Sequence, residues 1–191
     1  DGHVAKQWSE LSAKWLVRPT SIGWLLWLAL GTQPPTPTLV ETWVYKHSFT
    51  VANNNNHQAF TVIADDQTQE ESAVYHMMDS LTISGDVGDY VKFDMKSKWR
   101  TQTSVSGNTP AFLTTGENPF LVTKASIKFA ADVASLSGAS RVPVQNFKVT
   151  IDKNLEQVWS TQSSTTEGID FASQHNKDFR VKGDFEIIYN D

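Results

Sequence analysis

The 191-residue sequence contains no cysteine and is poor in charge, since only 19% of its residues are Asp, Glu, Lys or Arg. The lack of cysteine excludes disulfides and thiolate metal sites. The 16 basic residues are outnumbered by 21 acidic ones, whereas a protein that grips nucleic-acid phosphates is normally basic. Because 39% of the residues are hydrophobic and 11% aromatic, wholesale disorder is also excluded. The composition predicts one folded domain over residues 1–191.

Long apolar runs are also absent. The densest run, residues 22–30, is far shorter than the ~20 residues of a membrane-spanning helix, and no pattern typical of a signal peptide occurs. Thr20 and Ser21 can cap the start of a helix, Gly31 can end it, and a proline-rich stretch follows. The sequence predicts a two-turn helix over residues 22–30 that is apolar on nearly every side. Such a helix must be buried on most sides, partly inside the domain and partly at a subunit interface.

Aromatic and β-branched residues dominate the rest of the chain and predict strands. Residues 42–51 and 58–64 have this composition and flank a run of four asparagines. Because asparagine tolerates the positive φ of tight turns, the asparagines predict the tip of a hairpin whose two strands project as one long ribbon. A second hairpin is predicted from residues 81–85 and 90–99 around the turn at 86–89.

Strict alternation of apolar and polar residues supports the second hairpin. Val91, Phe93 and Met95 alternate with lysines and an aspartate, which is typical of a strand that is buried on one face. Three further stretches alternate in the same way, and Gly183 inside the last of them predicts a bulge or bend. They are residues 124–130, 147–152 and 179–189.

Two Ser/Thr-rich stretches, residues 101–118 and 160–164, are predicted loops, and residues 70–75 could form a second helical turn. The predicted fold is mostly β: an antiparallel β-sandwich or open barrel with one short buried α-helix.

No arrangement of residues points to catalysis. His47 and His57 flank the asparagines without facing each other across the predicted ribbon, so they are interpreted as surface positions rather than a metal pair. No zinc-protease, nucleophile-elbow or phosphate-loop motif occurs, and no group of carboxylates has the spacing of a calcium loop. The sequence therefore predicts no enzyme, no cofactor and no metal.

The seven tryptophans allow an alternative function. Exposed, coplanar indole rings would suit a secreted carbohydrate-binding β-sandwich. Trp24 and Trp27 lie in the apolar helix, and Trp43 and Trp99 lie in predicted strands. Those four are therefore interpreted as core or subunit-interface residues.

Seven segments, taken in order, resemble the major tail tube protein of long-tailed (siphovirus-type) bacteriophages. They are residues 18–31, 45–50, 60–63, 78–85, 88–94, 149–155 and 179–189. The resemblance covers residues 14–191 and lies in the order and spacing of the segments. Members of that family usually carry more strands before the apolar helix. An N-terminal part of the fold is therefore expected to be missing from this sequence or to have been cleaved.

This resemblance implies a structural protein of the virion tail that assembles in the host cytoplasm. Copies would form closed, usually hexameric, rings that stack into a tube, the conduit for DNA ejection. The implied partners are the chain itself, the tape measure, terminator and distal tail proteins, and double-stranded DNA that passes without specific binding; no membrane is involved.

The same resemblance gives the apolar helix, the asparagine tip and one polar strand face roles in assembly. The predicted packing and subunit-interface residues are Trp24, Leu25, Leu26, Trp27, Leu28 and Leu30. The predicted inter-ring tip is Asn53, Asn54, Asn55 and Asn56. Candidate lumen carboxylates are Asp94, Asp152, Asp184 and Glu186. They belong to three different strand faces, residues 92–98, 148–152 and 184–186, and the sequence does not choose among these faces.

Overall fold

The computed structural model describes residues 6, 8–31, 37–42, 44–52, 57–65, 68–100, 103–107, 117–164 and 169–188. Over these ranges the chain forms one α-helix and eleven strands. They are β1 (Ser9–Leu16), α1 (Pro19–Leu30), β2 (Thr38–Glu41), β3 (Val44–Lys46), β4 (Phe60–Asp65), β5 (Glu70–Asp86), β6 (Lys92–Trp99), β7 (Thr103–Val105), β8 (Val144–Asp152), β9 (Leu155–Ser164), β10 (Ile169–Asn176) and β11 (Arg180–Ile187).

The main sheet has the strand order β1-β6-β5-β8-β11, and every neighbouring pair in it is antiparallel. The long strand β5 belongs to two pairings. Its second half pairs with β6 and β8, whereas its first half pairs with β4 and β7. The change of partners coincides with Tyr75, which has a φ of 62° that is rare outside glycine. The predicted antiparallel, mostly β fold is confirmed, and the sheet is open.

One face of the main sheet carries the hydrophobic core. Cross-strand neighbours Ala13, Met95, Leu81 and Ile151 are all buried, and Leu25, Leu28 and Ala29 of α1 pack in the same cluster. Strict alternation places Lys96 and Lys92 on the opposite face of the sheet. The predicted hairpin of residues 81–99 and its inward residues are therefore confirmed.

The helix ends where the sequence predicts and starts three residues earlier. Gly31 has a φ of 80°, and its N–H donates to the Trp27 carbonyl at 2.8 Å. Such a left-handed residue is the usual way to terminate a helix. The start differs because Pro19 occupies the first turn, where its fixed φ suits a helix and its missing N–H costs nothing. Neither Thr20 nor Ser21 is the cap residue; Arg18 is, without a side-chain hydrogen bond.

The predicted ribbon of residues 42–51 and 58–64 is wrong. Strand β3 pairs with β2, which precedes it in the sequence, and β4 pairs with β5, which follows it. The asparagine composition favours a turn, but it cannot show whether the flanking strands pair with each other or with strands elsewhere. The four asparagines themselves lie outside the described residues.

Four smaller predictions are also wrong. Residues 124–130 form no strand: they follow a 3₁₀ turn (Val122–Lys124) and make a single bridge from Lys128 to Arg141. Residues 70–75 are strand rather than helix. Strand β7 covers part of the predicted loop 101–118, and β9 covers all of the predicted loop 160–164. Of the bulge or bend predicted at Gly183, the bulge is wrong, because the register shift in β11 falls after Glu186. Gly183 instead makes room for the ring of Phe185, which lies 2.7 Å from where a Cβ would stand.

Candidate functional site

A continuous polar face spans all five strands of the main sheet. The register places Lys14, Asp94, Thr82, Thr150 and Lys182 side by side in one row across the sheet. The cations that share this face are Lys14, Lys92, Lys96, Lys98, Lys148, Arg180 and Lys182. The carboxylates that share it are Glu10, Asp86, Asp94, Asp152, Asp184 and Glu186. The three strand faces that the sequence left as alternatives are therefore parts of one surface.

Charges of opposite sign are interleaved on this polar face. The Lys14 ammonium lies 3.0 Å from the Asp94 carboxylate, and Lys98 lies 3.1 Å from Asp79 at the bulge of β5. Lys92 pairs with Asp89 in the turn beside the sheet, and this hydrogen bond lowers the pKa of the Asp89 carboxyl. The surface is thus densely charged but close to neutral, and part of its lysine charge is compensated within the chain.

The sequence did not predict that Glu10 and Lys14 belong to this face, because strand β1 was not predicted. The signal was present: Leu11, Ala13 and Trp15 alternate with Glu10, Ser12 and Lys14. Strand β1 pairs with β6 along its whole length and forms one edge of the sheet. Lys14 therefore supplies the cation that sits beside Asp94.

The second notable surface is an apolar groove along the outward side of α1. Its volume is about 530 Å³. It is lined chiefly by Ile22, Trp24, Leu26, Trp27 and Phe49. The predicted interface residues thus divide into two groups. Leu25 and Leu28 are core residues and Leu26 and Leu30 pack against the core, whereas Trp24 is 65% exposed.

Residues 21–30 are buried or half-buried except for Trp24, so the domain covers much of α1 and Trp24 is not a core residue. A subunit contact through Trp24, Leu26 and Trp27 stays a prediction. Trp99 is buried, as expected, and Trp43 lies outside the described residues.

The aromatic pairs do not form a flat sugar-binding platform. Trp24 and Trp27 are inclined by 58°, Trp15 and Phe93 by 44°, and Trp8 and Trp159 by 74°. Stacking on a saccharide ring needs an indole face that is open and aligned with its neighbour. These inclined pairs therefore give the carbohydrate-binding alternative no support.

A buried lysine ties α1 to the sheet. Lys153 is 1% exposed, and its ammonium donates to the carbonyl of Leu28 in the last turn of the helix. Its backbone N–H donates to the carbonyl of Asp79 at 2.8 Å, and the Asp79 carboxylate accepts from the N–H of Leu155. Burial lowers the pKa of Lys153 to about 7 despite the nearby Asp79. This network is structural, and no feature of the sequence predicted it.

A buried histidine occupies the junction between the two pairings of β5. His76 stacks on Trp99 with ring centroids 4.2 Å apart, and its Nδ1 lies 3.0 Å from the Ser97 hydroxyl. Burial lowers the pKa of the imidazole to about 4, so the ring is neutral near pH 7. With these partners His76 is a packing residue beneath the covered face.

The other buried histidine corrects a sequence interpretation. His57 is 6% exposed rather than a surface residue, and its ring packs against Gly31 at the end of α1. On the other side of the asparagines, the N–H of Ala52 donates to the carbonyl of Leu30 at 2.8 Å. Both ends of the asparagine segment are therefore anchored beside the C-terminus of the helix.

In the described segments, no three His, Asp or Glu side chains come together in a way that could hold a metal ion. No helix that the structure describes is both long and apolar enough to cross a membrane.

Comparison with known proteins agrees with the resemblance in the sequence. A family model described as "phage tail tube protein" matches residues 4–191, nearly the whole chain. No curated protein matches the chain. The chain therefore belongs to the phage tail tube protein family and is a structural component of a bacteriophage tail.

Proposed function

We propose that copies of this chain assemble into closed, hexameric rings that stack into a tail tube, with the polar face of the main sheet lining the channel. The observation that carries this proposal is the polar face itself. A chain in which only 19% of residues are charged places a large share of them on one side of one sheet, opposite the core. A sheet buried on one face and wetted on the other suits the wall of a water-filled channel.

The charge pattern suits a channel through which double-stranded DNA slides during ejection. Each lysine that binds a phosphate adds salt-dependent affinity for DNA unless a neighbouring carboxylate neutralises its charge, and such affinity would hold the DNA in place. Ion pairs such as Lys14 with Asp94 and Lys98 with Asp79 reduce that affinity for DNA. No enzymatic step, cofactor or metal is part of this function.

Stacking requires a second type of contact, made between unlike surfaces and repeated without closing. We assign it to the segment Asn53, Asn54, Asn55 and Asn56, whose ends are anchored at the helix C-terminus, and we assign lateral packing to the apolar groove. At the ends of the tube the same surfaces would meet the tape measure, terminator and distal tail proteins. Assembly takes place in the host cytoplasm.

Electron microscopy of the purified chain tests the assembly, and cysteine labelling tests which face lines the channel. Because the chain has no cysteine, Lys96→Cys on the polar face and Val133→Cys (Val133 is 88% exposed) can each be labelled at one site. A maleimide on a polymer too bulky for the channel should label both variants before assembly. In tubes it should label only Val133→Cys, while a small maleimide still reaches both.

Rings or tubes that leave Lys96→Cys open to the bulky reagent would overturn the lumen assignment. A chain that stays monomeric at high concentration would overturn the assembly itself.

Deletion of residues 53–56 tests the stacking role separately. The fold should remain, because both anchor points lie outside the deleted segment. Rings should still form, but tubes should become short or disappear in micrographs. Tubes of normal length would refute this role, and substitution of the four residues by Gly-Ser-Gly-Ser provides the matched control for loop length.

A further inference from the structure

The main sheet has two free edges that complement each other. Over the parts of the chain that the structure describes, β1 pairs only with β6, and β11 pairs only with β8. Each edge is eight residues long and presents unpaired backbone groups, which proteins normally cover. Apolar side chains of the covered face are also left open at both edges, with Trp15 57% and Val181 59% exposed. Each edge could therefore accept one further strand, and the β11 edge of one copy could supply that strand to the β1 edge of another.

The direction of the strands restricts how two copies can join. The five strands alternate in direction, so the outer strands β1 and β11 run the same way. Rotation about a ring axis that runs along the strands preserves their direction. The β11 edge of one copy would then meet the β1 edge of the next as a parallel pair. A two-fold dimer would instead bring β1 against β1, or β11 against β11, in antiparallel pairs.

Charge and shape select the register between the two edges. With Lys182 level with Lys14, as within one sheet, the two lysines would repel each other. A shift of two residues brings Asp184 beside Lys14 and Arg180 beside Glu10. The same shift sets Phe185, which is half-buried against Phe129, beside Trp15 and covers the exposed Trp15 ring. Cross-strand pairs of opposite charge and aromatic pairs are the combinations that stabilise neighbouring strands.

We propose that β11 of one copy joins β1 of the next as a parallel pair, with Asp184 beside Lys14 and Phe185 beside Trp15. This inference rests on the proposed ring. It goes beyond the ring by naming the seam between subunits, its direction and its register. Every subunit boundary of the channel wall would then contain one parallel pair in an otherwise antiparallel sheet.

Disulfide trapping in the assembled full chain tests the seam. In the proposed register Ser12 faces Lys182, at the spacing of paired strands, where a disulfide can form. The double variant Ser12→Cys, Lys182→Cys should give a ladder of covalent oligomers up to the ring number on a non-reducing gel after mild oxidation. The ladder should collapse to monomer with reductant.

The matched control is Leu16→Cys with Lys182→Cys. Leu16 lies on the same edge and the same face as Ser12 but four residues along the strand, roughly 13 Å away at the rise of a β-strand. This variant should assemble and stay monomeric on the gel. Each single-cysteine variant should also stay monomeric.

The outcomes separate the seam from the proposed function. Tubes in micrographs without the Ser12–Lys182 ladder, or with a ladder from the control pair, would overturn the seam and leave the tube intact. Covalent dimers from Ser12→Cys alone would overturn it as well, because they would show a two-fold β1 contact. Failure of the unmodified chain to form rings would overturn the proposed function and this inference with it.

Discussion

The two faces of the main sheet are built from the same strands and differ in nearly every physical property. On β6, Met95 is buried in the cluster that includes Leu25 and Leu28 of α1, while its neighbour Lys96 is exposed on the open side. Alternation along the strand produces this difference at no cost in backbone geometry. Folding of one chain therefore depends mainly on the covered face, which leaves the open face free to serve the proposed assembly.

Adjacent substitutions on β6 give the largest expected effect. Met95→Asp places a charge without a partner in the core and removes a packed side chain, at a cost of several kcal/mol that rivals the whole stability of a typical domain. The chain should therefore fail to fold. Lys96→Asp, one residue away on the open face, should change the free energy of unfolding by less than about 1 kcal/mol. Circular dichroism and limited proteolysis measure both, and a folded Met95→Asp chain would contradict the assignment of faces.

Much of this two-faced sheet could be predicted from the sequence. The strict alternation in residues 90–99 identified both the strand and its buried side, and Gly31 identified the end of the helix. Alternation failed over residues 124–130, because an isolated apolar–polar pattern does not supply a partner strand. The predicted ribbon around the asparagines is wrong for a related reason: the sequence does not show which strands pair, and β3 and β4 each pair with a different strand.

The candidate site could be predicted only in part. The carboxylates singled out lie on three separate strands, and only the strand order β1-β6-β5-β8-β11 unites them on one surface; they are Asp94, Asp152, Asp184 and Glu186. Pairing between strands distant in sequence depends on loop closure and packing that no local pattern contains. The buried roles of His76 and Lys153 were missed for the same reason.

Acid should weaken the covered side of the molecule through His76. Its pKa is about 4 in the folded chain against 6.5 as the ordinary value, so the unfolded chain binds the proton more readily. The stability associated with the neutral imidazole is fully present above pH 6.5. It is lost as the pH falls from 6.5 towards 4, by at most about 3 kcal/mol.

Urea unfolding of the unassembled chain at several pH values between 7 and 4 measures this slope. His76→Phe keeps a ring against Trp99 and should flatten the dependence over that range. His175→Gln changes an exposed histidine and should keep the wild-type slope. Parallel curves for wild type and His76→Phe would assign the acid sensitivity to other groups.

The contact between Gly31 and the His57 ring should make an alanine substitution at Gly31 more destabilising than one at Gly88. Gly31→Ala combines the strain of a φ of 80° with a Cβ only 2.4 Å from the His57 ring. Gly88→Ala has a φ of 90° at an exposed turn and meets nothing within 4 Å. We expect losses in the free energy of unfolding of about 2 to 3 kcal/mol at Gly31 and about 1 to 2 kcal/mol at Gly88. Denaturant titration measures the difference, and equal losses would mean that the His57 contact relaxes freely.

The open face should give the smallest effect on folding. The Lys14 side chain is 74% exposed where it pairs with Asp94, and an exposed ion pair is worth less than about 1 kcal/mol because water screens it and the side chains lose entropy. Lys14→Ala, Asp94→Ala and the double variant form a cycle that isolates this coupling by urea unfolding of the unassembled chain. A coupling energy above about 2 kcal/mol would show that the open face supports the fold directly. A small coupling sharpens the contrast between the faces, because it would show that the charges of the open face contribute little to the folding of one subunit and leave that face available for the proposed assembly.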